Sequence, residues 1–353
     1  MTLTLKEYKA IVDKEIEKFF NKKLKKAENI DSSSVELIKI LKKYCLGGKR
    51  IRAAMLFHGY RCFKNKNLKE IVKASMSIEL IQSYFLIHDD IMDRSDIRRG
   101  KPALHKVYEK ISKKRYKKSD HPHFGASMAI LAGDILVAFA DEIIADLKNI
   151  RPRHKNAAIK KLQHINHTVI YGQVLDILSE LKPVTIKDIS LIHRMKTASY
   201  TVEGPLHVGA LLAGANKKQL KILKKYGVPL GKAFQIQDDI LGLFGDEKKT
   251  GKPADSDVKE GKQTLLILKA LEKADPKQKT TIKRALGNPN LTKSQLEEVR
   301  NIVKQTGSLE YCQNLAKSLI QKAKSALKKA RFKKQGREFL LGEIAEYMLE
   351  RKY

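Results

Sequence analysis

The sequence predicts an all-α protein, and three observations carry that prediction. Apolar residues recur at three- and four-residue spacing along nearly the whole chain. Strictly alternating runs are scarce, and glycines and prolines cluster between the periodic stretches. In chain order the periodicity predicts helices over about 4–25, 34–45, 51–63, 68–93, 126–149, 154–180, 187–213 with a break, 217–244, 263–273, 292–306, 308–330 and 336–350. Gly47-Gly48, Gly100 with Pro102, Pro122, Gly204-Pro205, Gly251 with Pro253 and Gly287 with Pro289 serve as breakers. Asp31, Ser32 and Ser33 before the second helix, and Thr292 with Gln295 later, are N-terminal capping signals. The segment SKKRYKKSDHPHFG, the most polar and basic in the chain, is expected as a surface loop. No linker and no fixed-period repeat divides the chain, so one domain over 1–353 is expected.

Composition narrows the function. A chain of 353 residues with 42% hydrophobic and 31% charged residues can bury a substantial core and is not of disordered type. Asp134 and Asp141 interrupt the best membrane-spanning candidate, Ser127 to Ile144, and the N-terminus lacks a signal-peptide pattern, so a cytoplasmic location is expected. Cys45, Cys62 and Cys312 are too few and scattered for a zinc site or a disulfide framework, and are expected as buried reduced thiols. Lys and Arg number 71 against 39 Asp and Glu, a formal charge of +32. That balance suits nucleic acid, acidic lipid or anionic small substrates. The lysines are spread over the whole chain, however, and there is no Trp, which argues against nucleic acid.

Chemistry concentrates in Ser77 to Arg99, SIELIQSYFLIHDDIMDRSDIRR, where an apolar run turns acidic and then arginine-rich. On a helix Asp89 and Asp93 share one face a single turn apart, with Asp90 beside them. Clustered carboxylates repel unless a hard cation such as Mg²⁺ lies between them, and Mg²⁺ keeps positions for water and phosphate oxygens. A second cluster appears in FQIQDDILGLFGDE, with Gln235, Asp238, Asp239 and Gly242 at i, i+3, i+4, i+7. Both clusters are expected at the same end of a helical bundle.

Basic motifs accompany them. In Gly47-Gly48-Lys49-Arg50-Ile51-Arg52 two glycines admit an anion to the backbone, a helix start favours negative charge, and Lys49 and Arg52 supply donors. Arg98 and Arg99 suit a metal-bridged phosphate, or else neutralise the aspartates directly. Met195-Lys196-Thr197-Ala198-Ser199 is a small-residue break where a ligand is expected to touch the backbone. Further lysines lie in the loops around Lys252 and Lys262.

Taken in order, GGKRIR, LIHDDIMDRSDIRRGKP, AGD at 132–134, MKT, GxxFQIQDDILG and KTGKP through EGKQT resemble the trans-isoprenyl diphosphate synthases, the polyprenyl synthetase family, from about Gly47 to Thr264. The resemblance implies a single isoprenoid synthase domain, an all-helical bundle around a deep cavity, as a homodimer. It implies Asp89, Asp90, Asp93, Asp238 and Asp239 as ligands of three Mg²⁺ ions, which hold an allylic diphosphate. Lys49, Arg52, Gln82 and Arg99 then correspond to the isopentenyl diphosphate site. Arg98, Lys196, Thr197, Gln235, Lys252 and Lys262 correspond to the allylic diphosphate site. Two positions depart from the pattern: Gln82 stands where many members have histidine, and Gly242 where the last aspartate of the second motif is usual, with Asp246 a candidate replacement. His88 points away from Asp89 by helical geometry and is expected in a supporting or core role.

The implied reaction is metal-assisted ionisation of an allylic diphosphate, attack by the isopentenyl double bond, and proton loss. Water must be excluded from the cation, and Thr197 and Gln235 are expected to stabilise it by their dipoles. Phe85 lies about 6 Å and Tyr84 about 7.5 Å below Asp89 along the helix, where they would floor the tail cavity. Aromatics at both positions resemble farnesyl diphosphate synthases, while the surrounding sequence resembles archaeal geranylgeranyl enzymes. A product between the two, weighted to the shorter, is expected. Three rivals are a class I terpene cyclase, opposed by GGKRIR with Arg99, a catalytically weak partner subunit, opposed by the presence of both acidic clusters, and a basic helical protein binding nucleic acid or a membrane surface.

Overall fold

The computed structural model describes residues 4–245 and 255–349. Apart from a two-stranded ribbon, its regular structure is helical, as the periodicity predicts. The chain divides into two compact units. Among the described residues no helix is long and apolar enough to cross a membrane. Cys45, Cys62 and Cys312 are buried free thiols.

The first unit comprises residues 1–163, 205–217 and 332–340. Helix α1 (Leu5–Ala27) starts at a capping box between Thr4 and Glu7 and buries Tyr8, Val12, Ile16 and Phe20, one residue per turn. Lys23 continues that stripe by pairing with Glu142 and lying 4.2 Å from the Phe139 ring centroid. Helices α2 (Ser32–Cys45) and α3 (Ile51–Arg61) lead to α4 (Leu68–Met92), which carries Asp89 and Asp90. Over Ala74–Ile81 every residue of α4 is buried, Ser75, Ser77 and Glu79 included, as in a helix enclosed by others, and α1, α3 and α6 pack on it. Tyr8 crosses to it through a 2.7 Å hydrogen bond to Ser75.

Arg50 fixes the entry to α3. Its backbone is left-handed at φ 61°, and its buried guanidinium donates to Asp13 (2.7 Å), Glu79 (3.2 Å) and the Cys45 carbonyl (2.6 Å). Glu79 also accepts from the Ala53 N–H at 2.9 Å. One amide of that helix start is therefore already satisfied by a carboxylate from inside the fold.

After α4 come the two-residue strands β1 (Ile97–Arg98) and β2 (Lys101–Pro102), paired antiparallel. The basic segment expected as a loop is instead mostly helix: α5 (Leu104–Arg115) runs into it, and α6 (His121–Ala145) begins within it. Lys113, Lys114 and Arg115 lie in the last turn of α5, where cations favour the helix dipole. Pro122 lies in the first turn of α6, with Asp120 as N-cap, so it marks a helix boundary as expected, with α6 starting a few residues earlier than the expected 126.

Helix α7 (Pro152–Leu181) carries the chain out of the first unit. In the second unit, α8 (Ile186–Ile192) continues into a π-helical stretch over His193–Glu203, after which α9 (Gly204–Ala213) belongs to the first unit. The expected break at 187–213 is thus an unwinding without interruption, because each extra residue in a π turn is accommodated by a wider hydrogen-bonded ring. Helix α10 (Lys217–Phe244) carries the second acidic cluster. Then come α11 (Ser256–Lys259), α12 (Leu265–Lys273), α13 (Pro276–Ala285), α14 (Lys293–Gln305) and α15 (Ser308–Lys328). α13 was not anticipated, although Asp275 and Gln278 form a capping box around Pro276. The Thr292–Gln295 box forms as expected. The chain closes with α16 (Lys334–Phe339) in the first unit and, in the second, α17 (Ala345–Leu349) after a short π turn.

Candidate active site

Near its C-terminal end α4 has two different sides. Gln82, Phe85, Leu86, Asp89 and Asp93 are all half-buried and follow i, i+3, i+4, i+7, i+11 spacing, so they form one accessible stripe. Asp90 faces the other way and is fully buried. Its Oδ1 accepts from Arg98 Nε at 2.7 Å and from Arg98 Nη2, which stands 3.8 Å from Asp89 Oδ2. Asp90 was expected among the metal ligands; the direct neutralisation by arginine weighed above is what the fold builds for it. Arg98 was expected to hold the allylic diphosphate and is engaged here by Asp90. A charge buried this deeply needs such a partner.

The ribbon explains why the two neighbouring arginines diverge. Arg98 pairs with Lys101, and Arg99 (φ 55°) and Gly100 (φ 69°) form the two-residue turn, both left-handed. The Arg99 guanidinium lies against Gly47 and Gly48. A methyl group at Gly47 would lie 2.7 Å from Arg99 Nη1, and one at Gly48 3.2 Å from Nη2. The glycine pair expected to admit an anion therefore admits this guanidinium. Among the described residues no carboxylate pairs with Arg99. Lys49 is exposed, and Arg52 is half-buried in the first turn of α3.

His88 turns toward α6, as helical geometry predicts. Its Nε2 is 3.1 Å from the Ile130 carbonyl, and the ring packs on Gly133, where any side chain would overlap it. This gives the glycine of Ala132-Gly133-Asp134 a packing reason. Below the aspartates the Tyr84 and Phe85 rings stand 4.9 Å apart, and Tyr84 is 4.7 Å from the His88 ring.

In the second unit a polar relay joins the π-helical stretch to α10. Thr197 Oγ1 donates to Gln235 Oε1 at 2.5 Å, Gln235 Nε2 donates to Asp239 Oδ1 at 2.8 Å, and His193 Nε2 is 3.2 Å from Asp239 Oδ2. Thr197, His193 and Asp239 are buried, while Asp238 is half-buried. Lys196 Nζ reaches Asp176 Oδ2 on α7 at 2.5 Å. The small-residue break read as a ligand contact has a packing partner instead, since Gly172 of α7 meets the Lys196 backbone too closely for any side chain.

Lys262 Nζ lies 2.5 Å from Glu260 and 3.8 Å from Asp257. A side chain at Gly242 would overlap the Asp257 carboxylate. The position whose acid is missing from the second motif is thus flanked by an acid from 15 residues later in the chain. Lys252, Asp246 and the C-terminal Arg351 to Tyr353 lie outside the described residues.

Sequence reasoning missed His193, Asp176 and Asp257. His193 was legible in principle, being three and four residues before Lys196 and Thr197. Asp176 and Asp257 have no local signal, because their partners come from other parts of the chain. Among the described residues no three carboxylate, imidazole or thiol side chains form a ready metal cage. Mg²⁺ binds through one or two carboxylates plus substrate phosphates, a donor set that Asp89 and Asp93 can supply.

A helical fold with aspartate pairs on two helices and guanidinium and ammonium donors nearby has the makeup of a diphosphate-ionising enzyme. A sequence model of the polyprenyl synthetase family matches residues 34–304. A short chain isoprenyl diphosphate synthase of Methanocaldococcus jannaschii is 38% identical over 75% of this chain and 74% of its own length. A geranylgeranyl diphosphate synthase of Sulfolobus acidocaldarius is 34% identical over 87% and 88% of the two chains. The crystal structure of a geranylgeranyl pyrophosphate synthase from Corynebacterium glutamicum, complexed with isoprenyl diphosphate and magnesium, superposes with a TM-score of 0.93 at 31% identity, covering 99% and 100% of the two chains. The chain belongs to the polyprenyl synthetase family and is a trans-isoprenyl diphosphate synthase, a prenyltransferase of all-α isoprenoid synthase fold.

Proposed function

We propose that this enzyme condenses isopentenyl diphosphate with dimethylallyl, geranyl and farnesyl diphosphates to give farnesyl and geranylgeranyl diphosphate. The observation that carries the reading is the accessible stripe of α4, with Asp89 and Asp93 one turn apart and Phe85 one turn beneath Asp89. Asp89, Asp93 and Asp238 are the carboxylates that bind Mg²⁺ outright, three ions per site. Asp90 acts by anchoring Arg98, and Asp239 by anchoring Gln235 and His193. When bound, the magnesium neutralises the leaving diphosphate so that the allylic C–O bond can ionise.

The remaining steps belong to the chain's own residues. Lys196, Lys252 and Lys262 add positive charge to the allylic diphosphate, and Arg98 orients it from Asp90. Lys49, Arg52, Gln82 and Arg99 hold isopentenyl diphosphate. The Thr197 hydroxyl and the Gln235 carbonyl, linked at 2.5 Å, place dipoles where an allylic cation would form. Tyr84 and Phe85 bound the tail and set its length. We further propose a single-domain homodimer in the cytoplasm, where the three unpaired thiols stay reduced. The exposed apolar stripe Ile170, Tyr171, Val174, Leu178 and Leu181 on α7 supports a second copy.

Incubation with Mg²⁺, isopentenyl diphosphate and each allylic primer, followed by sizing of the products, tests the proposal. Diphosphate release with C15 and C20 products is expected. Release of diphosphate without any use of isopentenyl diphosphate would indicate a cyclase, and no release at all would end the reading.

A further inference from the structure

Tyr44 lies in the last turn of α2, three residues before Gly47. Its hydroxyl is buried, and among the described residues it has no hydrogen-bond partner. A phenol cut off from water without a partner loses its solvent bonds for nothing, so such groups in native proteins are generally completed by a ligand or a bound water. Burial pushes the Tyr44 pKa up, with Asp90 adding to the effect and Arg98 and Arg99 opposing it. The group is therefore a protonated donor within electrostatic reach of both arginines.

The three guanidiniums of this corner differ in one respect. Arg50 is held by Asp13 and Glu79, and Arg98 by Asp90. Arg99, seated in its glycine cradle, has no acid among the described residues. The buried orphan O–H and the solvent-exposed Arg99, whose guanidinium no acid among the described residues holds, fit one and the same partner, an anion with several acceptor oxygens. We propose that Tyr44 is a further binding residue for the non-allylic substrate, its hydroxyl donating to the diphosphate that Arg99 grips. This rests on the assignment of Arg99 to isopentenyl diphosphate given above. The C-terminal turn of α2 thereby becomes part of the substrate site, although the sequence marks it only as a helix ahead of a glycine pair.

Tyr44→Phe removes the hydroxyl and keeps the ring. Titration calorimetry with isopentenyl diphosphate and with inorganic diphosphate, alongside steady-state kinetics, should show isopentenyl diphosphate affinity falling about tenfold, the size of one hydrogen bond to a charged group. kcat, the KM for the allylic substrate and the melting temperature should stay near wild type. Arg99→Gln is the control. If Arg99→Gln loses affinity and Tyr44→Phe does not, Tyr44 is only a packing residue and the inference fails while the proposed function stands. If Arg99→Gln keeps full affinity, the assignment of this corner to isopentenyl diphosphate fails and takes the inference with it. A Tyr44→Phe variant that loses kcat, both KM values and melting temperature together would assign the residue a structural role and overturn the proposal.

Discussion

Asp89 and Asp90 are neighbours in sequence and opposites in environment, since one lies on the open stripe of α4 and the other is fully buried against Arg98. Their neutral variants should therefore fail differently. Asp89→Asn is expected to lower kcat by 100-fold or more, by analogy with other losses of transition-state charge stabilisation of about 3 kcal/mol, while urea unfolding stays close to wild type. Asp90→Asn leaves Arg98 buried without its partner charge. It should lose about 3 kcal/mol of stability, read from the urea midpoint, as well as activity. Gly242 gives a second contrast. Gly242→Asp forces its new carboxylate against Asp257, so it should lower both melting temperature and magnesium affinity. Adding Asp257→Gly should restore the melting temperature. If the single Gly242→Asp variant matches wild type in both measurements, Asp257 does not occupy that space. The pair Asp89 and Asp93 could be read from spacing alone. The separate fate of Asp90 could not, because the direction of one residue on a helix acquires meaning only when its neighbours are known.

At the scale of elements, the stripe on α4 ties chain length to the helix that carries the acids. Phe85→Ala and Tyr84→Ala should each lengthen the products, read by chromatography of the dephosphorylated alcohols, and unchanged products would reject this ruler. Helix α3 shows how an element responds to pH. His58 stacks on Phe339 of α16 with centroids 3.6 Å apart, and burial drives its pKa down to about 3. Between that value and the ordinary 6.5 the unfolded chain binds a proton that the folded chain refuses. Stability should therefore fall as pH drops below about 6.5, by up to ~1.4 kcal/mol per pH unit from this group. Urea midpoints across pH 4 to 7 should show a shallower slope in His58→Phe. Helix boundaries were legible where caps announced them, as at Thr292. They were misread between α5 and α6, where lysine density looked like a loop although its cations sit at a helix C-terminus. The π-helical stretch could not be read, because its packing against Gly172 and Gly231 comes from distant helices.

For the whole molecule, the apolar stripe of α7 and the +32 charge make different demands. If the stripe is where a second copy binds, Val174→Glu with Leu178→Glu should halve the mass seen by sedimentation. A mass equal to that of wild type would clear this face of the role. Removing divalent ions should abolish turnover, and Mg²⁺ should restore it without a change in secondary structure. The helical class, the two acidic clusters and the basic motifs beside them followed from the sequence by itself. Periodicity and i, i+4 spacing are local quantities, and a helix turns them directly into faces. Tertiary structure alone decided which of those charges are spoken for: Asp90 by Arg98, Asp239 by His193, Lys196 by Asp176, and the space at Gly242 by Asp257. Each of those pairings joins residues that are 8 to 46 positions apart. A pairing is an energy between two groups brought together by packing, and no pattern within a single segment encodes it.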